Sequence, residues 1–163
     1  MQMGDVLTAW AQWLETSPWG YPVRTSLWLY PFIQLIHFGG LSLWIGTSTA
    51  VDLRLLGVGR RRQTAARLSE QLFAWNWIGF GIAVLGGFLL FSGIATALLV
   101  NAAFLVKLTY LFPAALVWHI IVQRKTRTWG QTERAPVSAK LAGVVELLLW
   151  LSVVAAAVLI PNY

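Results

Sequence analysis

Long uncharged stretches alternate along the chain with two short stretches rich in basic residues. No charged residue lies between Arg24 and Asp52, and none lies between Glu70 and Lys107. A helix needs about 20 apolar residues, at about 1.5 Å each, to cross the roughly 30 Å apolar core of a bilayer. The first stretch is long enough for one crossing. The second is too long for one, so it must hold a second span and the start of a third.

This pattern predicts an all-α fold, an integral membrane four-helix bundle that forms a single membrane domain over residues 1–163. The predicted spans cover residues of about 27–51, 72–98, 102–122 and 141–160. Asn101 is the best turn residue between the second and third spans, and Pro161 is expected to end the fourth.

A further helix is expected before the first span, over residues of about 5–16. Apolar residues recur there at helical spacing, with polar residues between them: Val6, Leu7, Trp10, Trp13 and Leu14 against Asp5, Gln12 and Glu15. This pattern is typical of a short amphipathic helix in the membrane interface. The segment lacks the basic start and the cleavage site of a signal peptide, so we expect it in the mature chain.

The basic residues predict how the bundle is oriented. Ten of the twelve lie in the segments 52–71 and 123–140: Arg54, Arg60, Arg61, Arg62, Arg67, Arg124, Lys125, Arg127, Arg134 and Lys140. Basic loops tend to stay in the cytoplasm. We therefore expect both loops to be cytoplasmic and both termini periplasmic, in the inner (cytoplasmic) membrane of a bacterium.

The composition excludes several classes of protein. Charged residues make up 11 %, against roughly 25 % in soluble domains, hydrophobic residues make up 58 %, and there is no cysteine. A disordered chain, a disulfide-stapled module and a thiolate metal site are excluded. The net charge of +6 belongs to membrane-flanking loops, so the expected partner is the lipid bilayer and not a nucleic acid.

Small residues recur every fourth position in the first two spans. They are Ser42, Gly46 and Ala50 in the first, and Gly79, Ala83 and Gly87 in the second. Such stripes let helices approach closely in lipid, within one chain or in a homo-oligomer. They could also clear space for a flat cofactor, and the spacing does not distinguish these explanations.

Ionisable residues at membrane depth are costly and are candidates for functional sites. They are His37, Lys107, His119 and Glu146, with Asp52 and Arg54 at the inner end of the first span. Two histidines on two helices suggest haem b, because imidazole is an axial ligand and bundles hold cofactors between facing helices. Lys107 could pair with a haem propionate or extend to the headgroups.

The membrane depth of each histidine, counted in residues along its helix, argues against a single haem site. His37 and His119 are expected to differ in depth by roughly 8 to 18 Å, whereas one iron needs its two nitrogens about 4 Å apart. Unless helix tilt or a break brings them level, the two histidines are therefore expected not to share one iron within a chain. Each serves a different site, or a ligand comes across a symmetric subunit interface. Alternatively, His37 bonds a neighbouring helix and His119 is interfacial.

The inner polar residues have two explanations. Glu146 is expected at a depth close to that of His119, Asn76 and Asp52. This inner polar layer could be a proton or ion site, or a structural network around Arg54, and the structural explanation is favoured.

Three runs of sequence resemble a family of small four-helix bacterial inner-membrane proteins of unknown function. They are His37-Phe38-Gly39-Gly40 through Gly46 to Asp52-Leu53-Arg54-Leu55-Leu56-Gly57, then Gly86-Gly87-Phe88-Leu89-Leu90-Phe91, then Asn101-Ala102-Ala103-Phe104-Leu105-Val106-Lys107. The resemblance implies the four-helix topology and marks His37, Asp52, Arg54, Lys107 and His119 as family-pattern positions. More distantly, the chain is similar to membrane b-type cytochromes and to CopD-like domains, without the second histidine pair of the former and with few soft copper ligands.

The leading hypothesis is a haem b-binding protein in electron transfer or redox sensing, with His37 as the main ligand and His119 as the second. The first alternative is a non-catalytic structural or accessory subunit that forms an oligomer. The second is a small transporter or copper-handling membrane protein that uses the inner polar residues. The chain has no P-loop and no HExxH motif, so no motif indicates hydrolase or transferase chemistry. Whether the protein is an enzyme stays open.

Overall fold

A computed structural model describes residues 3–59, 63–129, 131 and 135–160, and within these ranges the chain is helical with no strand. The helices are α1 (Met3–Thr16), α2 (Gly20–Thr25), α3 (Leu29–Leu55), α4 (Ala65–Gly93), α5 (Ala95–Leu98), α6 (Ala102–Val106), a π-helical turn (Lys107–Leu111), α7 (Phe112–Trp129) and α8 (Val137–Leu159). The segment from α6 through the π-helical turn to α7 is one continuous helix, Ala102–Trp129.

Four of these helices are long and apolar enough to cross a membrane: Leu29–Leu55, Ala65–Gly93, Ala102–Trp129 and Val137–Leu159. The prediction of an all-α four-helix membrane bundle is confirmed. The chain is a multi-pass membrane protein, and its apolar helix surfaces suit a lipid environment.

The bundle has two chemically different ends. At the basic end lie the end of α3, the start of α4, the end of α7 and the start of α8, which carry or adjoin Arg54, Arg67, Arg124, Lys125, Arg127 and Lys140. At the terminal end lie α1, α2, α5 and the end of α8, where the Asn101 amide donates to the Ile160 carbonyl at 2.8 Å. Arg60, Arg61, Arg62, Arg134 and Pro161, which the sequence arguments used, lie outside the described residues.

The long helices extend further at the basic end than apolarity alone predicts. α4 begins at Ala65, where the Thr64 side chain caps it by accepting from the Arg67 N–H, and α7 continues to Trp129. α3 likewise ends at Leu55 and is followed by Gly57 with φ of +90°. The reason is that the terminal turns of these helices are polar, so hydropathy does not report them.

The second span also differs at its other end. α4 stops at Gly93, because Ile94 leaves the helical conformation with φ −139° and ψ 34°, and the short α5 follows. The prediction that the span continues to residue 98 is therefore wrong. Asn101 does begin the third span: its side chain accepts from the Phe104 N–H at 2.9 Å.

The N-terminal helix α1 is tied to the terminal end of the bundle by a buried carboxylate. Glu15 accepts from the Thr96 backbone N–H at 2.8 Å and from the Thr96 hydroxyl at 2.6 Å. It also pairs with Arg24 at 3.4 Å. Trp10 and Trp13 stay exposed on the other face of α1, as an interfacial helix requires.

The middle of the bundle is an aromatic layer around the buried Trp44 of α3. Its indole ring centroid lies 4.3 Å from that of Trp150 and 4.7 Å from that of Phe80, and Phe112 completes the layer at 6.1 Å. Beside this layer α3 and α4 touch through their backbones. A Cβ on Gly40 would lie 2.6 Å from the Ala83 nitrogen, so only glycine fits there.

The two stripes of small residues have different surroundings. The stripe on α4 faces α3: a Cβ on Gly79 would lie 2.7 Å from the Trp44 nitrogen. On α3, by contrast, Ser42 and Gly46 are exposed, and no atom of the described chain lies within 4 Å of a Cβ at Gly46. One stripe therefore packs the bundle, and the other faces outward.

Candidate functional site

A buried polar cluster lies between the aromatic layer and the basic end, centred on His119 of α7. The His119 Nδ1 is 2.5 Å from Oε1 of Glu146 on α8, and the His119 Nε2 is 3.0 Å from Oδ1 of Asn76 on α4. All three side chains are buried. The histidine therefore joins three spanning helices, and both of its ring nitrogens are engaged.

Asn76 extends this chain of hydrogen bonds to α3. Its amide nitrogen donates to the Trp44 carbonyl at 3.1 Å and to the hydroxyls of Thr47 and Ser48, both at 2.9 Å. All four spanning helices therefore contact the same buried network. Buried polar groups are expected to be paired in this way, because an unpaired one is costly.

A small cavity adjoins the network and contains a second carboxylate, Asp52 of α3. Asp52 and Glu146 are each 1 % exposed, and both line a cavity of about 20 Å³ that extends toward Ser69 and Thr126 at the basic end. Among the described residues, nothing bonds Oδ2 of Asp52 or Oε2 of Glu146. The cavity has room for one water molecule, which needs such polar partners.

Three indole rings surround the His119 imidazole. The ring centroids of Trp44, Trp77 and Trp150 lie 6.2, 6.1 and 6.2 Å from the imidazole centroid. The Trp150 N–H also points at Oε1 of Glu146, at 3.4 Å. The three indole planes are inclined to the imidazole plane by 84°, 57° and 68°, so the three rings form an aromatic cage around the histidine.

The structure brings together some of the residues that the sequence singled out and separates others. His119, Glu146 and Asp52 meet, as the depth count allowed. Arg54 does not join them: its Nε donates to the Gln63 carbonyl at 2.6 Å, and within the described part of the chain it makes no ion pair with Asp52. A network centred on Arg54 is therefore not the arrangement found.

Sequence reasoning overlooked Trp44 and Gln123. Gln123 follows His119 by four residues, so both lie on one face of α7, and this spacing could have revealed it. Trp44 carries no such signal, since one tryptophan in an apolar helix is indistinguishable from the others before the helices are packed.

His37 occupies a different site, on the terminal side of the aromatic layer. It precedes Trp44 by seven residues, or about 10 Å along α3, whereas His119 is in contact with Trp44. Its Nδ1 is 2.6 Å from the Ala83 carbonyl of α4. Because a carbonyl only accepts, Nδ1 carries the hydrogen, and in the neutral ring Nε2 then keeps its lone pair.

Two glycines of α4 make room for this half-buried imidazole. A Cβ at Gly86 would lie 2.9 Å from the His37 Cβ, and one at Gly87 would lie 3.1 Å from the His37 Cε1. The space that these glycines clear is therefore filled, at least in part, by the histidine itself.

Lys107 belongs to the His37 side of the bundle. It starts the π-helical turn, and its Nζ lies 5.6 Å from the centroid of the Phe104 ring. Phe104 in turn stacks on Phe91 of α4, four residues beyond Gly87. π-helical turns are rare and often mark functional sites. The structure thus places Lys107 in the same half as His37, and it does not bring Lys107 to His119.

The two histidines differ in what they offer a metal. His119 has neither ring nitrogen free of a hydrogen bond, whereas His37 has a lone pair on Nε2. No group of three or more His, Cys, Asp or Glu side chains within the described ranges is arranged to hold a metal ion.

Comparison with known proteins identifies a family without an assigned function. The model of the family of unknown function DUF6644 matches residues 10–161. No curated protein and no solved structure matches the chain, so no match supports the more distant similarity to b-type cytochromes or CopD-like domains. The family match covers nearly all of the bundle and includes both histidines. The chain belongs to this family of unknown function.

Proposed function

We propose that the chain is a small proton-handling membrane protein of the transporter class, in which Asp52, His119 and Glu146 bind and release a proton. The observation that carries the proposal is a pair of buried carboxyl groups at one cavity beside a hydrogen-bonded histidine, each with one oxygen that has no partner among the described residues. Ionisable side chains at membrane depth mark ion pathways and proton relays.

The chemistry of the cavity favours a proton as the species bound. A buried carboxylate without a partner is costly, and a proton, alone or carried by one water molecule, satisfies it without the extra space that a hydrated ion needs. Because the cavity extends toward the basic end, the proton would be exchanged on that side. With the basic end in the cytoplasm of a bacterium and both termini in the periplasm, the exchange is with the cytoplasm.

Proton flux into vesicles tests the proposal. The purified protein is reconstituted into liposomes that contain a pH-sensitive dye, and flux is driven by a potassium diffusion potential. We expect the wild type to acidify the lumen faster than protein-free vesicles. Glu146→Gln and Asp52→Asn should each reduce that rate about tenfold, because the amide cannot carry the proton.

The matched control is His37→Gln, which changes the other histidine and should keep the flux within about twofold of wild type. A wild-type rate equal to that of protein-free vesicles would overturn the proposal. So would an equal loss in the His37 and Glu146 variants.

A second candidate function is haem b binding in electron transfer or redox sensing, with His37 as the ligand. It is supported by the hydrogen bond from Nδ1 to the Ala83 carbonyl, which fixes the ring and leaves Nε2 available to iron, as in many metal-binding histidines. The charge of Lys107 on the same side suits a propionate. His119 does not support this function, because hydrogen bonds engage both of its nitrogens.

A visible spectrum separates the two candidates. Protein purified from cells supplied with a haem precursor should show a Soret band that His37→Ala abolishes and His119→Ala leaves in place. If no band appears in the wild type, the haem function is wrong.

We also propose that the protein forms a homo-oligomer, which includes the case of an accessory subunit. The support is the outward-facing stripe of Ser42, Gly46 and Ala50 on α3, where a second helix could approach closely. Gly46→Leu should then shift the oligomer to monomer in cross-linking experiments, whereas Gly4→Leu, also at an open position, should not. An unchanged cross-linking pattern would rule out this interface.

A further inference from the structure

The orientation of the Asn76 side-chain amide follows from the acceptors that surround it on α3. The atom assigned as Nδ2 lies 3.1 Å from the Trp44 carbonyl oxygen, which can only accept. The two hydroxyls near it, of Thr47 and Ser48, donate to carbonyls of their own helix at 2.8 to 2.9 Å. Each therefore presents a lone pair to Asn76. Three acceptors require the amino group here, so Oδ1 faces α7.

A second chain of hydrogen bonds gives the same orientation independently. The Trp77 indole only donates, and it donates to Gln123 at 3.1 Å, so that atom of Gln123 is the amide oxygen. The Gln123 amino group then faces Asn76 at 3.5 Å and needs an acceptor there. Oδ1 of Asn76 is that acceptor.

The orientation of Asn76 determines where His119 carries its protons. An acceptor 3.0 Å from Nε2 requires a hydrogen on Nε2. The other ring nitrogen, Nδ1, lies 2.5 Å from Oε1 of Glu146, and two lone pairs would repel at that separation. One proton must therefore lie between Nδ1 and Oε1.

We infer that Asn76 is a positioning residue that keeps Nε2 of His119 protonated, so that the His119–Glu146 pair holds one proton shared between Nδ1 and Oε1. In one form Nδ1–H is intact, the ring is an imidazolium and Glu146 is a carboxylate. In the other form the Nδ1–H bond has broken and the Oε1–H bond has formed, and both groups are neutral. The pair has no net charge in either form, which keeps the burial cost low.

The inference deepens the proposed function, on whose site it rests, by assigning the stored proton to one hydrogen bond. To release that proton, the Oε1–H bond of the neutral form must break while a bond to another acceptor forms. The neighbouring carboxylate of Asp52, whose Oδ2 has no partner among the described residues, could accept it across the cavity. The pair must then separate, because lone pairs of Nδ1 and Oε1 would face each other.

Nitrogen NMR tests the inference directly, because the protein has only two histidines. The protein is labelled with ¹⁵N-histidine and reconstituted in lipid, and His37→Gln assigns the remaining ring to His119. In the wild type we expect a directly attached proton on Nε2 of His119. For His37 we expect the opposite arrangement, a proton on Nδ1 and none on Nε2. A wild-type His119 with a bare Nε2 overturns the inference without any variant.

The variant Asn76→Leu sharpens the test by removing the acceptor at similar volume. We expect Nε2 of His119 to lose its proton and Nδ1 to keep one against Glu146. Thr47→Val is the matched control, since it removes one of the three acceptors that orient Asn76 and should leave Nε2 protonated. Retention of the Nε2 proton in Asn76→Leu would contradict the role of Asn76. The expected tautomer together with an absence of proton flux would overturn only the proposed transport.

Discussion

The two histidines of this protein lie in two halves of the same bundle and have opposite surroundings. His119 is buried, is bonded at both nitrogens and lies within a cage of three indoles. His37 is half-buried, is bonded at one nitrogen to a backbone carbonyl, and lies against two glycines. The same residue type at membrane depth is thus part of a polar network in one half and offers a free lone pair in the other.

The difference teaches that membrane depth alone does not indicate what a histidine does. What decides is the number of ring nitrogens that the protein already occupies and whether their partners donate or accept. Side-chain partners on two other helices, Glu146 of α8 and Asn76 of α4, give His119 a shared proton. One carbonyl gives His37 a fixed ring with an open Nε2.

The largest expected effect comes from breaking the His119–Glu146 pair. Glu146→Leu leaves Nδ1 of a buried imidazole without a partner, which should lower the free energy of unfolding by about 3 kcal/mol. His37→Leu, at a half-buried position with one bond to the backbone, should cost about 1 kcal/mol. Thermal unfolding in detergent followed by circular dichroism measures both. Equal losses would show that the two histidines are energetically alike.

The next effect tests the glycines that accommodate His37. Gly86→Ala should destabilise the bundle by about 2 kcal/mol, because the new methyl group lies 2.9 Å from the His37 Cβ and 3.1 Å from its backbone. Gly87→Ala should cost less, since it meets the edge of a ring that can shift. The same unfolding measurement applies.

Gly81→Ala is the control on the same helix. No atom of the described residues lies within 4 Å of a Cβ at Gly81, so alanine should stabilise by about 0.5–1 kcal/mol through helix propensity. A loss at Gly81 as large as that at Gly86 would argue against the close contact with His37.

The smallest expected effect on stability is that of Asp52→Asn. One oxygen of Asp52 has no hydrogen-bond partner among the described residues, so replacing the carboxyl group removes a burial cost and little bonding. We expect a change of less than about 1 kcal/mol, in the stabilising direction. A loss above about 2 kcal/mol would mean that Asp52 is a structural group, and it would weaken its assignment to proton binding.

Much of the fold could be predicted from the sequence, because an uncharged apolar stretch of about 20 residues indicates a helix that crosses the membrane. The ends of the helices were harder to predict from the sequence. The polar cap at Thr64 and the irregular backbone at Ile94 depend on local hydrogen bonds and dihedral angles that hydropathy does not describe.

Only part of the candidate site could be predicted from the sequence. The ionisable residues were recognisable because they are rare at depth, and counting residues placed Glu146 and His119 at similar levels. Their partners were not recognisable, since the rotation of each helix about its axis decides which side chains meet. The bonds of Asn76 to α3 exist only because Gly40 and Gly79 let the two backbones touch.

The aromatic layer around Trp44 has an electrical consequence. The polar cavity reaches from this layer toward the basic end, so the membrane voltage should fall mainly across the layer of Trp44, Phe80 and Trp150 and the part of the bundle on its terminal side. A proton in the cavity would then lie near the potential of the basic side. Crossing the layer would take up most of the roughly 2.3 kcal/mol that 100 mV exerts on one charge, so the proton transport that we propose should depend steeply on voltage.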